Sequence, residues 1–196
     1  MKKIIITGGP TNEYIDEVMK ITNMSRGTMS VALGDLFLSS GYKVCMILNN
    51  SVKMQQVSDD LKIIRVETTD EMLQALEAES KIEKYDAIIH ASAVGDYKAD
   101  FSFLLEDLAD EIFAAKNKIK SCKDILKIME NPKCKIDDNT KIDSYQKNLT
   151  VKLGLTPKII EKLRAWYPNT FIVGFKLLDH VPKAELFRVA QELCIK

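Results

Sequence analysis

Asn23-Met24-Ser25-Arg26-Gly27 brings an amide, a hydroxyl, a guanidinium and a residue without a side chain into five positions. The run that follows, from Thr28 to Ser40, has no proline and only one glycine, so these residues front a helix. The first turn of a helix leaves backbone N–H groups without partners. Together with a hydroxyl and a small glycine they make an anion site. Ser25 serves equally well as an ordinary N-cap, and Arg26 as a solvated charge. Upstream, Thr7-Gly8-Gly9-Pro10 ends a β-branched run in a turn. Downstream, Ser92-Ala93-Val94-Gly95-Asp96-Tyr97 ends another apolar run with slim residues and one carboxylate. A backbone passing close to a nucleotide needs slim residues, and a carboxylate can accept from a ribose hydroxyl or a base amino group.

Those residues must be held by regular elements. Apolar runs predict strands over Lys3–Thr7, Tyr42–Leu48, Ile63–Val66, Tyr85–His90 and Thr170–Gly174. Between them lie helical patterns: Val31 to Gly41, a helix capped by Thr69 or Asp70, Lys158–Trp166, and Lys183–Leu193 after Pro182. Strands alternating with helices give parallel crossovers. The expected fold is α/β, a Rossmann-like three-layer sandwich with a mostly parallel sheet. Ligands of such sheets sit at the carboxyl ends of the strands. That places Gly8–Thr11, Asn49–Ser51, Ser92–Tyr97 and Gly174–Lys176 around one crevice. Residues 100–150 break the rhythm, with two helix-like pieces at Phe101–Ala115 and Lys123–Met129. They are expected to form an insertion, a flap or an oligomer contact, within one domain spanning 1–196.

Composition removes several classes. Lys+Arg and Asp+Glu are 28 each, so no global basic field recruits nucleic acid. Four scattered cysteines without a CxxC point to reduced thiols and a cytoplasmic setting rather than zinc or redox chemistry. No apolar run reaches membrane-span length. The GxGxxG spacing is absent, because Pro10, Thr11, Asn12 and Glu13 follow Gly9. Strand two ends in Asn49-Asn50 without an acid for a ribose diol. There is no Walker GxxxxGK[ST], and none of the six tyrosines has a lysine four residues on. A nicotinamide enzyme is disfavoured.

The motifs together resemble phosphopantothenate–cysteine ligase in its monofunctional, streptococcal-type form. "ITGGPTNEYIDEVMKITNMSRGTM" is similar to the family opening, a Gly-Gly turn and then "ID.VR.ITN.SSG.MG". "HASAVGDY" resembles "AAAVADY", "KIDS" resembles the lysine motif "KIKK", and "LTPKII" and "VGFKLL" follow in order. The resemblance runs from residue 3 to the end. It implies that a nucleoside triphosphate, CTP as in most bacterial members or ATP, activates the carboxylate of 4′-phosphopantothenate as an acyl-nucleotidylate with magnesium. Cysteine then displaces the nucleoside monophosphate. It also implies a homodimer with the flap reaching towards the partner.

By the same resemblance Asn23 contacts the acyl intermediate. Lys141 sits in a loop that closes over the nucleotide. Gly8, Gly9, Ser25, Gly27, Ser92, Ala93, Asp96, Phe175 and Lys196 bind nucleotide, and Arg26 helps to bind substrate. His90, at a strand end, is read as structural. Two departures matter. Met19 stands where the family has Arg, which leaves Lys20 or Arg26 to substitute. The family continues past the position of Lys196, so part of the nucleotide pocket is expected to lie beyond this sequence. The alternative expectation is an inactive nucleotide-binding or interaction module of the same fold.

Overall fold

Ile4, Ile5 and Ile6 are all buried. A strand buries consecutive residues only where both its faces are covered. The computed structural model describes residues 1–136, 141–177 and 180–195. In chain order it begins with β1 (Lys3–Gly8), a short hairpin of β2 (Asn12–Tyr14) and β3 (Lys20–Thr22), α1 (Thr28–Ser39) and β4 (Lys43–Asn49). Next come β5 (Leu61–Val66), α2 (Thr69–Ile82) and β6 (Ala87–His90). The ribbon strand β7 (Tyr97–Leu104) is followed by α3 (Leu105–Ala114), α4 (Cys122–Glu130) and β8 (Leu149–Leu155). The last elements are α5 (Ile159–Trp166), β9 (Phe171–Gly174) and α6 (Lys183–Ile195).

The central sheet has five parallel strands in the order β5-β4-β1-β6-β9. Side chains alternate along each strand, and the two faces meet different helices. Ile5, Cys45, Ile47 and Ile88 pack on Met72 and Leu76 of α2 and on Ile159 and Leu163 of α5. Ile4, Ile6, Val44, Met46 and Ile89 pack towards Val31, Leu33 and Phe37 of α1. The result is the expected three-layer Rossmann-like sandwich. Strand order reverses between β1 and β6, so their crossovers leave in opposite directions and a crevice opens at their carboxyl ends.

One charge is buried in this core at the opposite end of the sheet. Glu79 is 2% exposed. It accepts from Tyr85 Oη and from Lys62 Nζ, each at 2.6 Å. Burial, reinforced by the Glu79 charge, pushes the Cys45 thiol up to about 12. Cys45 is therefore a packing residue and not a nucleophile.

Outside the strands of the central sheet the structure departs from the sequence reading in four places. Phe101–Leu104 is strand, not helix: β7 pairs antiparallel with β8, with a register break between Ala99 and Phe101. Phe101 and Phe103 alternate inward and build a small core with Leu108 of α3. The unit expected over 100–150 thus starts at Tyr97 and closes at Leu155. The cap of α2 is Thr68, whose hydroxyl accepts from Glu71 N; Thr69 is the first helical residue and is fully buried. The β2–β3 hairpin was not anticipated. Among the described residues, no helix is long and apolar enough to cross a membrane.

Candidate functional site

The loops after β1 and β6 are zipped together at the reversal of strand order. Ala93 N donates to Gly9 O at 2.9 Å and Thr11 N to Ala93 O at 3.3 Å. The start of α1 is pressed against the same place. Gly9 and Gly27 both have positive φ, at 88° and 67°. A Cβ on Gly27 would stand 3.1 Å from Gly9 N and 2.7 Å from Val52 Cγ2. No side chain fits there, and this is what brings the helix start onto the turn. Gly27, not Ser25, is the N-cap residue of α1. Ser25 Oγ instead accepts from Gly27 N at 3.4 Å. Gly8 sits beneath, where an added Cβ would overlap Ser30 Oγ.

Asn23 ties the segment between β3 and α1 to the loop after β6. Its Nδ2 donates to Ala93 O and to Val94 O, both at 3.1 Å. Both amide hydrogens are therefore spent on the β6 loop, and the Oδ1 acceptor is left to face a ligand. Ser92 Oγ, in the same loop, is buried without a hydrogen-bond partner among the described residues. Such an atom is costly unless something fills its place. Gly8, Gly9, Asn23, Ser25, Gly27, Ser92 and Ala93 thus converge at the crevice.

The other expected residues stand around it. Asp96, on the same loop, pairs with Lys158 Nζ. Its Oδ1 is occupied unless Lys158 swings away. Phe175 follows β9 and is 56% exposed, so it is not a core residue. Arg26 is exposed at the helix start. Lys20 ion-pairs with Glu67 at 3.1 Å. That makes Arg26, not Lys20, the cation available to stand in for the absent arginine. Lys141 is exposed and lies beside the turn of the β2–β3 hairpin rather than against Asn23. Lys196 lies outside the described residues.

Several members of the crevice were not foreseen. Glu67, just past β5, accepts from Asn12 Nδ2 at 2.6 Å, Tyr14 Oη at 3.2 Å, Lys20 Nζ at 3.1 Å and Asn50 Nδ2 at 3.0 Å. Burial pushes its carboxyl up, but these bonds outweigh burial and hold it below the usual carboxylate range. Glu13 is also buried and accepts from Thr69 N at 2.9 Å and Thr69 Oγ1 at 2.6 Å. These two acids clamp the hairpin to the sheet. The available signal was Glu67 itself, a carboxylate directly after a strand.

His90 is the one buried imidazole among the described residues. Ser92 N donates to Thr7 Oγ1 at 3.3 Å, and Thr7 Oγ1 lies 2.8 Å from His90 Nδ1. Burial lowers the His90 pKa to about 4, so the ring is neutral at pH 7. The folded value lies below the unfolded one, so the unfolded chain binds the extra proton first. Stability from this ring is complete above pH 6.5 and is lost as pH falls towards 4. Urea titrations should show about 2 kcal/mol lost between pH 6.5 and 5, above the range where Asp16 and Glu67 titrate. In His90→Gln that slope should disappear; a slope unchanged in the variant would assign it to another group.

Comparison with known proteins gives this geometry a family. Residues 1–133 match the DNA/pantothenate metabolism flavoprotein C-terminal domain. The chain is 32% identical over 191 residues to the coenzyme A biosynthesis bifunctional protein CoaBC of Thermococcus kodakarensis, covering 97% of this chain but 38% of that protein. It therefore spans less than two-fifths of that relative's length. The DNA/pantothenate metabolism flavoprotein of Streptococcus pneumoniae superposes with a TM-score of 0.78 at 29% identity, covering 100% of this chain and 78% of that one. A Cab2 variant solved in complex with phosphopantothenate-cysteine shares the fold, with a TM-score of 0.62 at 19% identity over 98% of this chain and 69% of that one. The strand-end crevice, the glycine contact at the helix start and the match over residues 1–133 agree: the chain belongs to the DNA/pantothenate metabolism flavoprotein C-terminal domain family.

Proposed function

We propose that this chain joins 4′-phosphopantothenate to cysteine through an acyl-nucleotidylate, consuming CTP or ATP and releasing pyrophosphate. The observation that carries the reading is Asn23, tied to two carbonyls of the β6 loop beside a helix N-terminus that meets the Gly9 turn. The substrates are both anions, so their approach must be compensated by fixed donors. The first-turn N–H groups of α1, Ser25 and Arg26 supply positive potential at the crevice. The Gly9–Ala93 zipper keeps that backbone rigid, so little reorganisation is needed when charge develops. The unpartnered Ser92 hydroxyl offers a hydrogen bond to the nucleotide or acyl group. Asn23 Oδ1 accepts from the attacking amine. Lys141 neutralises charge on the α-phosphate from its exposed loop, and Phe175 lies beside the base.

Magnesium belongs to this reading as an ion borne by the triphosphate, where it screens the phosphate charge. Among the described residues no group of three His, Cys, Asp or Glu side chains could hold a metal. That fits an ion bound through phosphates and water rather than a protein cage. A homodimer in the cytoplasm is part of the same proposal.

The test is pyrophosphate release from this chain with phosphopantothenate, magnesium and CTP or ATP, with and without cysteine. Release with one nucleotide, followed by cysteine-dependent turnover, supports the ligase and identifies its nucleotide. Absence of release with both nucleotides, from this chain and from a version extended past Lys196, would leave the inactive binding module as the better reading.

A further inference from the structure

We infer that Asp16 is the positioning residue for Lys141: its buried carboxylate holds the backbone of Ile142 and thereby fixes where the lysine stands. The inference rests on the role proposed above for Lys141. Asp16 is 3% exposed, at the turn of the β2–β3 hairpin. Its Oδ1 accepts from Val18 N at 2.7 Å and Met19 N at 2.6 Å, which shapes the turn. Its Oδ2 accepts from Ile142 N at 3.0 Å, across 126 positions of sequence. Ile142 is 5% exposed, while Lys141, Asp143 and Ser144 around it are exposed. The loop is thus pinned by one buried side chain and one backbone bond, directly next to the lysine.

Only a carboxylate suits this place. Three N–H donors converge on two oxygens, and an asparagine would turn its own NH2 towards one of them. The backbone bonds of Met19 and Ile142 hold the Asp16 carboxyl below the usual range, with a smaller contribution from the Lys141 charge. The hairpin carries the registration onward. Glu67 and Glu13 clamp it to the sheet end, and its second strand runs directly into Asn23. Asp16 therefore ties the position of Lys141 to the same element that delivers Asn23.

The experiment uses the full chain. In Asp16→Asn, hydrogen exchange at the Ile142 amide should accelerate about tenfold or more, the loss of one charge-assisted bond, while amides of β1 and β4 stay protected. Pyrophosphate release should fall by about 10²-fold, as displacement of a charged group by an ångström does. Because Asp16 acts through Lys141, D16N/K141Q should be no slower than K141Q alone. Should D16N lose protection in the core strands as well, Asp16→Ser serves in its place: its single oxygen keeps the turn and gives up Ile142. An unchanged Ile142 amide, or a double variant slowed by the product of the two single effects, would overturn the inference. If neither the unmodified chain nor its extended version releases pyrophosphate, the ligase reading fails, and the exchange result still decides whether Asp16 pins the loop.

Discussion

Replacing Asn23 with Asp should slow turnover by about 10²–10³-fold, the usual cost of losing one preorganised polar group at a reacting centre. Asn23 spends both amide hydrogens on Ala93 O and Val94 O. An aspartate would set carboxylate oxygen against two carbonyl oxygens in their place. The β6 loop must then retreat, and with it Ser92 and Asp96. Pyrophosphate should still appear in a burst while the acyl-nucleotidylate accumulates, which rapid quench with labelled nucleotide detects. Asn23 is exposed, so water can replace it at the carbonyls and the thermal midpoint should move little. Wild-type turnover in this variant would remove Asn23 from the mechanism.

The middle of the central sheet was legible because β1, β4 and β6 are covered on both faces. Runs such as Ile4-Ile5-Ile6 and Val44 to Leu48 have no reason to be continuous otherwise. The β2–β3 hairpin was not legible, for the opposite reason. Its three-residue strands hold Asn12, Glu13 and Lys20, and their pairing depends on Glu67 and Thr69, which arrive from far along the chain. Between these cases lies the ribbon. Phe101 and Phe103 carry a period of two that changes to a helical period at Leu105, with no turn residue to mark the change. Leu149, Val151, Leu153 and Leu155 alternate cleanly and could have been read as a strand.

Gly9→Ala should cost about 2–5 kcal/mol. Holding a non-glycine residue at positive φ accounts for about 1–2 kcal/mol. Overpacking accounts for about 1–3 kcal/mol more, since the new Cβ would lie 2.5 Å from Val52 Cγ2 and 3.0 Å from Asn49 Cβ. Gly41→Ala is the control. Its φ is 80°, and a Cβ there meets nothing within 4 Å, so only the conformational cost remains. Urea unfolding of both variants isolates the close approach as their difference. Equal losses would mean that Val52 yields and that the contact between turn and helix start is soft. The larger loss in Gly9→Ala should be accompanied by weaker nucleotide binding, because the same contact seats α1 on the turn.

Recognition of the site from sequence divides along similar lines. Residues contributed by backbone shape, such as Gly9, Gly27 and Ala93, could be placed because turns and helix starts leave local signs. Pairings could not. That Lys158 holds Asp96, that Lys20 is committed to Glu67, and that Asp16 reaches Ile142 are all long-range choices. No local pattern encodes them.

The position of β1 has a consequence for how the chain is made. It precedes the other four strands of its sheet in sequence, yet it lies in the middle of that sheet. Its two neighbours, β4 and β6, are encoded about 40 and 80 residues later. Until both have emerged, three consecutive isoleucines have no sheet to enter. The hairpin that follows β1 likewise waits for Glu67 and Thr69. Assembly of the sheet around β1 is thus deferred until β6 is available, and the segment is sticky in the meantime. Emergence of β6 together with the loop that follows it is then the step at which the crevice can first form.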